Sequence, residues 1–235
     1  MPNLDLQFEE HPAGYGAYVA TGDALPAGTL VAARSADGVL AGAMDVAALP
    51  KDVPNPLGRL RRALDVFANV RPSRTFPGVR TPFGAFDLVV VRENTQGMYA
   101  GIEYAAGPDA ACGVRLITRS ASTRIARVAF EQARSRRRKV TAVHKVGALK
   151  LTDALFLESV QAVASDYPDV VYETRNVDAC ALEMVRHPGA FDVILATNAF
   201  GDILSDVAAG LAGGLGLAPS GCFGEQYAYF EPIHG

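Results

Sequence analysis

Hydrophobic residues recur along this 235-residue chain at two spacings, one typical of buried strands and one typical of amphipathic helices. The clearest strand is predicted over 86–91, a mainly apolar run between turns, which indicates burial on both faces. Further strands are predicted at 140–143, 170–173 and 191–196, and helices at 122–138, 152–167, 178–186 and 202–211. Strands that alternate with helices predict an α/β fold whose sheet is mostly parallel.

The pattern before residue 70 is mixed. We predict strands at 4–8 and 38–44, and helices at 29–34 and 57–67. For the later helix at 122–138, either Ser120 or Ser122 is the predicted N-cap, because a short hydroxyl side chain can accept a hydrogen bond from the first turn.

Composition places the chain among globular proteins, because 49% of its residues are hydrophobic and 20% are charged. The formal charge is −3, from 22 Lys and Arg against 25 Asp and Glu, which argues against a dedicated nucleic-acid binder. The basic run at 134–139 is therefore interpreted as a solvated helix end.

Three cysteines without CxxC spacing argue against disulfides and for a reducing, cytoplasmic location. No signal peptide or membrane-spanning stretch is predicted.

Two aspartates, Asp202 and Asp206, give the strongest chemical signal. They are four residues apart in a small, apolar helical stretch, so both carboxylates are expected on one face. Like charges held close together repel unless a cation lies between them, and Mg²⁺ or Mn²⁺ prefers oxygen ligands. Asp202 could equally cap the helix while Asp206 is solvated, so the hexapeptide alone favours neither interpretation.

Three arginines form a second candidate set. Arg61 lies on the predicted helix 57–67, Arg71 follows ten residues later, and Arg92 ends the predicted buried strand. Guanidinium groups bind carboxylates through paired hydrogen bonds, so three that converge would suit a di- or tricarboxylate. Each arginine taken alone is better explained as an ordinary surface or ion-pair residue.

Two further residues could transfer protons. Tyr99 follows the tip of the buried strand and could act as a general acid if a neighbouring cation lowers its pKa. Lys145 follows strand 140–143 and could act as a base if it is partly desolvated. A hydrogen-bonded core tyrosine and a surface lysine are the plainer interpretations of each residue alone.

These segments together resemble the metal-dependent β-decarboxylating dehydrogenases, a family that includes isocitrate, homoisocitrate, 3-isopropylmalate and tartrate or D-malate dehydrogenases. The resemblance runs through most of the chain in the family's order. The matching segments are 60–72, 91–99, 177–179, 191–206, 213–220 and 230–235. The sequence of residues 92–95 is more similar to the isocitrate, homoisocitrate and tartrate branches than to the isopropylmalate branch.

The resemblance implies NAD-dependent oxidative decarboxylation of a 2-hydroxy di- or tricarboxylic acid with Mg²⁺ or Mn²⁺, and NADP remains open as the cofactor. The implied substrate-binding residues are Arg61, Arg71 and Arg92, and the implied metal ligands are Asp202, Asp206 and Asp178 of the partner subunit. The implied general acid is Tyr99, and the implied base is the partner subunit's Lys145. The implied cofactor-binding residues are Glu231, His234 and Gly235.

The resemblance also implies a homodimer of two-domain subunits with a mixed sheet that is not a Rossmann fold. The first, cofactor-side domain would comprise 1–70 and 215–235, and the second, with the metal site and dimer interface, 71–214. Relative to the family pattern we expect the chain to lack an N-terminal strand and helix and a C-terminal cofactor loop. A second chain could supply them, or the chain could be a silent homologue that serves as a substrate-binding, metal-binding or structural subunit. The family's Asn after the lysine is Gly147 here.

Overall fold

A single eight-stranded mixed sheet organises the structure, a computed structural model that describes residues 5–233. The strands are β1 (Val39–Leu40), β2 (Ala68–Arg74), β3 (Asp87–Glu93), β4 (Glu103–Ala105), β5 (Ala111–Gly113), β6 (Lys139–His144), β7 (Val171–Asn176), β8 (Val193–Ala196), β9 (Pro219–Phe223) and β10 (Ala228–Pro232). The order across the sheet is β1-β10-β9-β2-β3-β8-β6-β7, and β4 pairs separately with β5. Strands β3, β8, β6 and β7 are parallel neighbours, whereas β2 is antiparallel to β3 and β9.

Seven α-helices accompany the sheet in the described part of the chain. They are α1 (Tyr15–Thr21), α2 (Ala27–Ser35), α3 (Pro56–Ala63), α4 (Arg119–Arg134), α5 (Thr152–Ala164), α6 (Val177–Arg186) and α7 (Asn198–Ala212). None of the helices between residues 5 and 233 combines the length and the hydropathy that a membrane span requires. The alternating strands and helices confirm the predicted α/β class with a mixed sheet.

Strand β3 separates two hydrophobic cores because its side chains alternate between the faces of the sheet. Val89 and Val91 pack with buried residues of α4 and α5, such as Phe130. Leu88 and Val90 pack with buried residues of α6 and α7. Burial on both faces confirms the prediction from the apolar run at 86–91.

A third core connects the beginning and the end of the described chain. Leu25, Leu60 and Leu64 are buried against Cys222 and Tyr229 of the β9–β10 hairpin. These residues come from the two stretches assigned above to one domain. The division into 1–70 with 215–235 and 71–214 remains our proposal.

Several elements and one helix cap were predicted incorrectly from the sequence. Residues 5–8 form no strand, and the predicted strand at 38–44 is reduced to β1. The side chain of Thr118, rather than Ser120 or Ser122, accepts the hydrogen bond from Ala121 N that caps α4. The hydrophobic pattern does not predict β2, β9 and β10, because polar residues and glycines interrupt it there.

The basic run after α4 is engaged in ion pairs. Arg136 contacts Asp87 at 2.7 Å and Asp192 at 2.9 Å, and Lys139 contacts Glu173 at 3.1 Å. These carboxylates come from β3, β7 and the approach to β8, so the run ties neighbouring elements together. The predicted helix end is therefore favoured over a nucleic-acid patch, although Arg136 and Lys139 are paired with carboxylates and not fully solvated as predicted.

Helix α7 approaches β3 closely at Gly201. A Cβ atom added there would lie 2.7 Å from Cβ and Cγ of Arg92, which is shorter than normal van der Waals contact. Only a residue without a side chain therefore allows the first turns of α7 to lie against the end of β3. Gly210, on the same helix, has open space around the corresponding position.

These two glycines give a matched test of the packing. We expect Gly201→Ala to lower the free energy of unfolding by about 1–3 kcal/mol, because the new methyl group overlaps Arg92. Gly210→Ala should instead raise it by about 0.5–1 kcal/mol, because alanine is the better helix former and meets nothing. Urea unfolding of both variants measures the difference, and equal effects would contradict the close approach.

Candidate functional site

The register of β2 and β3 places two arginines side by side beneath α7. Asn69 pairs with Arg92 and Arg71 pairs with Val90, so Arg71 and Arg92 both point to the face on which Val90 contacts α7. Both arginines are only 3% exposed. Two neighbouring buried cations are costly unless carboxylates or hydrogen-bond acceptors compensate them.

Asp202, on the first turns of α7, supplies that compensation. Its Oδ1 accepts a hydrogen bond from Arg71 Nη1 at 3.1 Å and a second, short one from Arg92 Nη1. Its Oδ2 accepts from the Tyr99 hydroxyl at 2.6 Å. Of the two interpretations left open by the sequence, the capping role of Asp202 is wrong, because α7 begins at Asn198, four residues earlier. We refer to Arg71, Arg92, Tyr99, Asp202 and Asp206 as the Asp202 cluster.

Neutral side chains hold the two guanidinium groups in place. Arg92 donates from Nε and Nη2 to Asn198 Oδ1, at 3.0 and 2.7 Å. Arg71 donates from Nε to Asn69 Oδ1 at 3.0 Å and from Nη1 to Ser205 Oγ at 2.7 Å. These acceptors fix each guanidinium plane, so the arginines are oriented before any ligand binds.

The charges of the cluster shift one another's pKa values. Burial, followed by the charge of Arg71, lowers the pKa of Arg92 to about 10. Burial alone would raise the pKa of Asp202, but Arg92, the Tyr99 hydrogen bond and Arg71 together hold it below its ordinary value. The Asp202 hydrogen bond and burial raise the pKa of Tyr99, opposite to the shift considered from the sequence. Tyr99 therefore keeps its proton at neutral pH.

Asp206 lies one turn further along α7 and is the open side of the cluster. Its side chain is 55% exposed, and its nearest cation is Arg71 Nη1 at 3.8 Å. Burial and the charge of Asp202 raise its pKa, with Arg71 and Arg92 acting in the opposite direction. A second cation near both carboxylates would relieve this repulsion.

Arg61 belongs to a neighbouring network rather than to the Asp202 cluster. It forms a short ion pair with Glu231 Oε1, and the Tyr229 hydroxyl donates a short hydrogen bond to Glu231 Oε2. The buried Nε of Arg61 has no hydrogen-bond partner among the described residues. An apolar groove of about 640 Å³ lies beside Glu231 and is lined in part by Phe223 and Phe230.

Lys145 and Asp178 form a separate, more exposed pair. Lys145 Nζ donates to Asp178 Oδ1 at 2.6 Å, with the side chains 40% and 66% exposed. This hydrogen bond holds the pKa of Asp178 below its ordinary value. Within residues 5–233 no three His, Cys, Asp or Glu side chains come close enough to hold a metal ion. One chain therefore does not bring Asp178 to Asp202 and Asp206. His234 and Gly235 lie outside the described residues.

Sequence reasoning missed the residues that hold the arginines. Asn198 and Ser205 each lie within a helical turn of Asp202, so the helical spacing could have identified them once the start of α7 was known. Asn69 could have been identified only with β2, since it lies two residues before Arg71 on the same face of that strand.

Comparison with known proteins identifies the family of the chain. The isocitrate/isopropylmalate dehydrogenase family model matches residues 1–235. A 3-isopropylmalate dehydrogenase of Archaeoglobus fulgidus is 49% identical over all of this chain and 71% of its own length. An isocitrate/homoisocitrate dehydrogenase of Thermus thermophilus is 45% identical over 99% of this chain and 70% of its own length. These identities are similar, so they do not select a substrate branch.

A solved structure gives the same answer for the fold. The crystal structure of isocitrate dehydrogenase from Methylococcus capsulatus matches with a TM-score of 0.92 and 44% identity, over 99% of this chain and 70% of that one. The chain thus spans about 70% of the length of these relatives. Sequence, fold and family model agree that the chain belongs to the isocitrate/isopropylmalate dehydrogenase family.

Proposed function

We propose that the chain catalyses the oxidative decarboxylation of a 2-hydroxy di- or tricarboxylic acid at the Asp202 cluster. The observation that carries this proposal is the presence of two buried, oriented guanidinium groups beside two carboxylates on one helix face. Guanidinium groups bind carboxylates, and paired aspartates bind Mg²⁺ or Mn²⁺. The dehydrogenase names of the relatives support the same reaction class.

The donor set fits a divalent metal ion that is only partly held by one chain. Asp202 and Asp206 supply hard oxygen ligands from one helix face, and the charge of Asp202 adds to burial in raising the pKa of Asp206. A further ligand would be Asp178 of the partner subunit. A bound Mg²⁺ or Mn²⁺ would polarise the substrate oxygens, and NAD or NADP would accept the hydride. Glu231, with His234 and Gly235, remains the proposed cofactor side.

Arg71 and Arg92 would bind the substrate carboxylates together with Arg61. Both arginines now share Asp202 Oδ1 as their acceptor. If Asp202 turned its oxygens toward a cation, both guanidinium groups would be available to a substrate carboxylate without leaving Asn69, Ser205 and Asn198. The unpartnered Nε of Arg61 offers one more donor nearby in the fold.

Tyr99 and Lys145 would move protons. Tyr99 remains protonated because its pKa is raised, so it can donate a proton to the carbon that loses CO₂. Lys145, in its neutral amine form, would accept the proton of the substrate hydroxyl. Because Lys145 and Asp178 contact each other and not the Asp202 cluster, both would serve the site of a second copy in a homodimer. A cytoplasmic location belongs to the same proposal.

A test with a panel of hydroxyacids addresses the reaction. With Mn²⁺ and NAD or NADP, we expect reduced nicotinamide to form from at least one of 3-isopropylmalate, isocitrate, homoisocitrate and D-malate, and chelation of the metal to abolish it. Asp202→Asn should lower turnover by about 100-fold or more, because it removes a charged metal ligand. Asp87→Asn, which alters an exposed carboxylate outside the site, is the matched control.

Absence of turnover with every acid, in a chain that still binds carboxylates and Mn²⁺, would favour the silent homologue. Metal dependence that persists in Asp202→Asn would instead contradict the placement of the metal.

A mixing experiment addresses the shared site. Lys145→Met and Asp202→Asn should each be inactive alone, but subunit exchange between them should restore about a quarter of the native activity in a two-fold dimer. Half of the dimers are then mixed, and each has one site with all of its groups. Recovery of no activity, with mixed dimers shown by mass spectrometry, would mean that Lys145 acts within its own chain or not at all.

A further inference from the structure

A buried ion pair outside the Asp202 cluster joins Arg115 to Asp153. Arg115 Nη1 lies 2.7 Å from Asp153 Oδ1, and the side chains are only 12% and 1% exposed. Burial of two charges costs solvation free energy, so such a pair contributes little net stability compared with apolar packing. Its contacts therefore indicate what else it does.

Asp153 fixes the backbone of Lys145. It lies in the first turn of α5, and its Oδ2 accepts a hydrogen bond from Lys145 N at 2.6 Å. The carbonyl oxygen of Lys145 accepts from Ala148 N at 2.9 Å and Leu149 N at 2.8 Å. Both polar backbone groups of the lysine are thus satisfied by residues between 148 and 153, and the stronger, charge-assisted bond comes from Asp153.

Arg115 connects the start of α5 to the start of helix α7. Its Nη1 donates to Thr152 Oγ1 at 2.5 Å, and its Nη2 donates to Thr197 Oγ1 at 3.1 Å. Thr197 immediately precedes α7, and the guanidinium group also lies over the ring of Phe200 on that helix, 5.4 Å from its centroid. Arg115 thereby holds the start of α5 against the start of α7.

We propose that Arg115 and Asp153 are positioning residues that set the location of Lys145. The side chains of Arg115 and Asp153 do not contact the Lys145 amine that is proposed to react. Asp153 contacts only the backbone amide of Lys145 and acts through it. The proposal rests on the proposed function for the role of the lysine, but the positioning itself does not depend on turnover. In a homodimer the pair acts on the partner's site, because that is where Lys145 is used.

Hydrogen exchange tests the positioning without an active enzyme. We expect Asp153→Asn to accelerate amide exchange in 144–149 by about tenfold or more, because Lys145 N loses a charged acceptor, while α4 exchanges as in the native protein. Glu158→Gln, a change on the same helix α5 that breaks an exposed ion pair with Arg119 of α4, should change neither segment. If Asp153→Asn does not fold, Arg115→Lys, which retains the charge, should show a smaller acceleration in the same segment.

Two exchange results would overturn the proposal. One is native exchange in 144–149, which would mean that Asp153 does not hold Lys145. The other is equal acceleration in 144–149 and α4, which would mean that the pair only stabilises the fold.

The mixed dimer described above tests the consequence for catalysis. Its competent site takes Lys145 from the Asp202→Asn chain. Asp153→Asn placed in that chain should lower kcat by about tenfold more than the same change placed in the Lys145→Met chain, with the KM for substrate within about twofold. Equal losses from both placements would contradict a role through Lys145. If no acid is turned over at all, the proposed function fails, and the exchange measurement still decides the positioning.

Discussion

The site depends on the contact between α7 and the end of β3. Gly201 allows the helix to lie against Arg92, and this contact brings Asp202 to two guanidinium groups that would otherwise be buried without a counterion. The arginines in turn exist side by side only because β2 pairs antiparallel with β3 in one register. A one-residue slip of that pairing would turn Arg71 to the opposite face of the sheet.

The two arginines and the two aspartates of the Asp202 cluster carry equal and opposite formal charges. A charged ligand would change this balance. Two arginines face one well-compensated carboxylate and one exposed carboxylate, Asp206, whose pKa is raised. A metal ion and a carboxylate substrate would add opposite charges to this set. They are therefore expected to bind cooperatively, each relieving the repulsion that the other would meet.

The sequence predicted most of the fold where hydrophobic periodicity was strong, as in β3 and in helices α4 to α7. It failed for β2, because Asn69 and Arg71 are buried polar residues with partners far away in sequence, on β9 and α7 respectively. Ser73 is also buried, and its hydroxyl has no hydrogen-bond partner among the described residues. Likewise, the pairing of Asp202 and Asp206 was predictable from helical spacing, whereas the acceptors Asn198 and Asn69 could be identified only once the start of α7 and the strand β2 were known. The position of Lys145 after a strand made it a candidate base, and family resemblance implied that Lys145 and Asp178 serve the partner's site. The structure shows the two in contact with each other and apart from Asp202.

We propose that Asp202 and Asp206 bind a divalent cation whose remaining ligand comes from a second copy of the chain. Electron paramagnetic resonance of Mn²⁺ titrated into the protein measures this directly. We expect a tightly held population of Mn²⁺ that is strengthened by a dicarboxylate, lost in Asp202→Asn and in Asp178→Asn, and restored when those two variants exchange subunits. Tight Mn²⁺ binding that survives Asp202→Asn, or that never responds to Asp178→Asn, would contradict it.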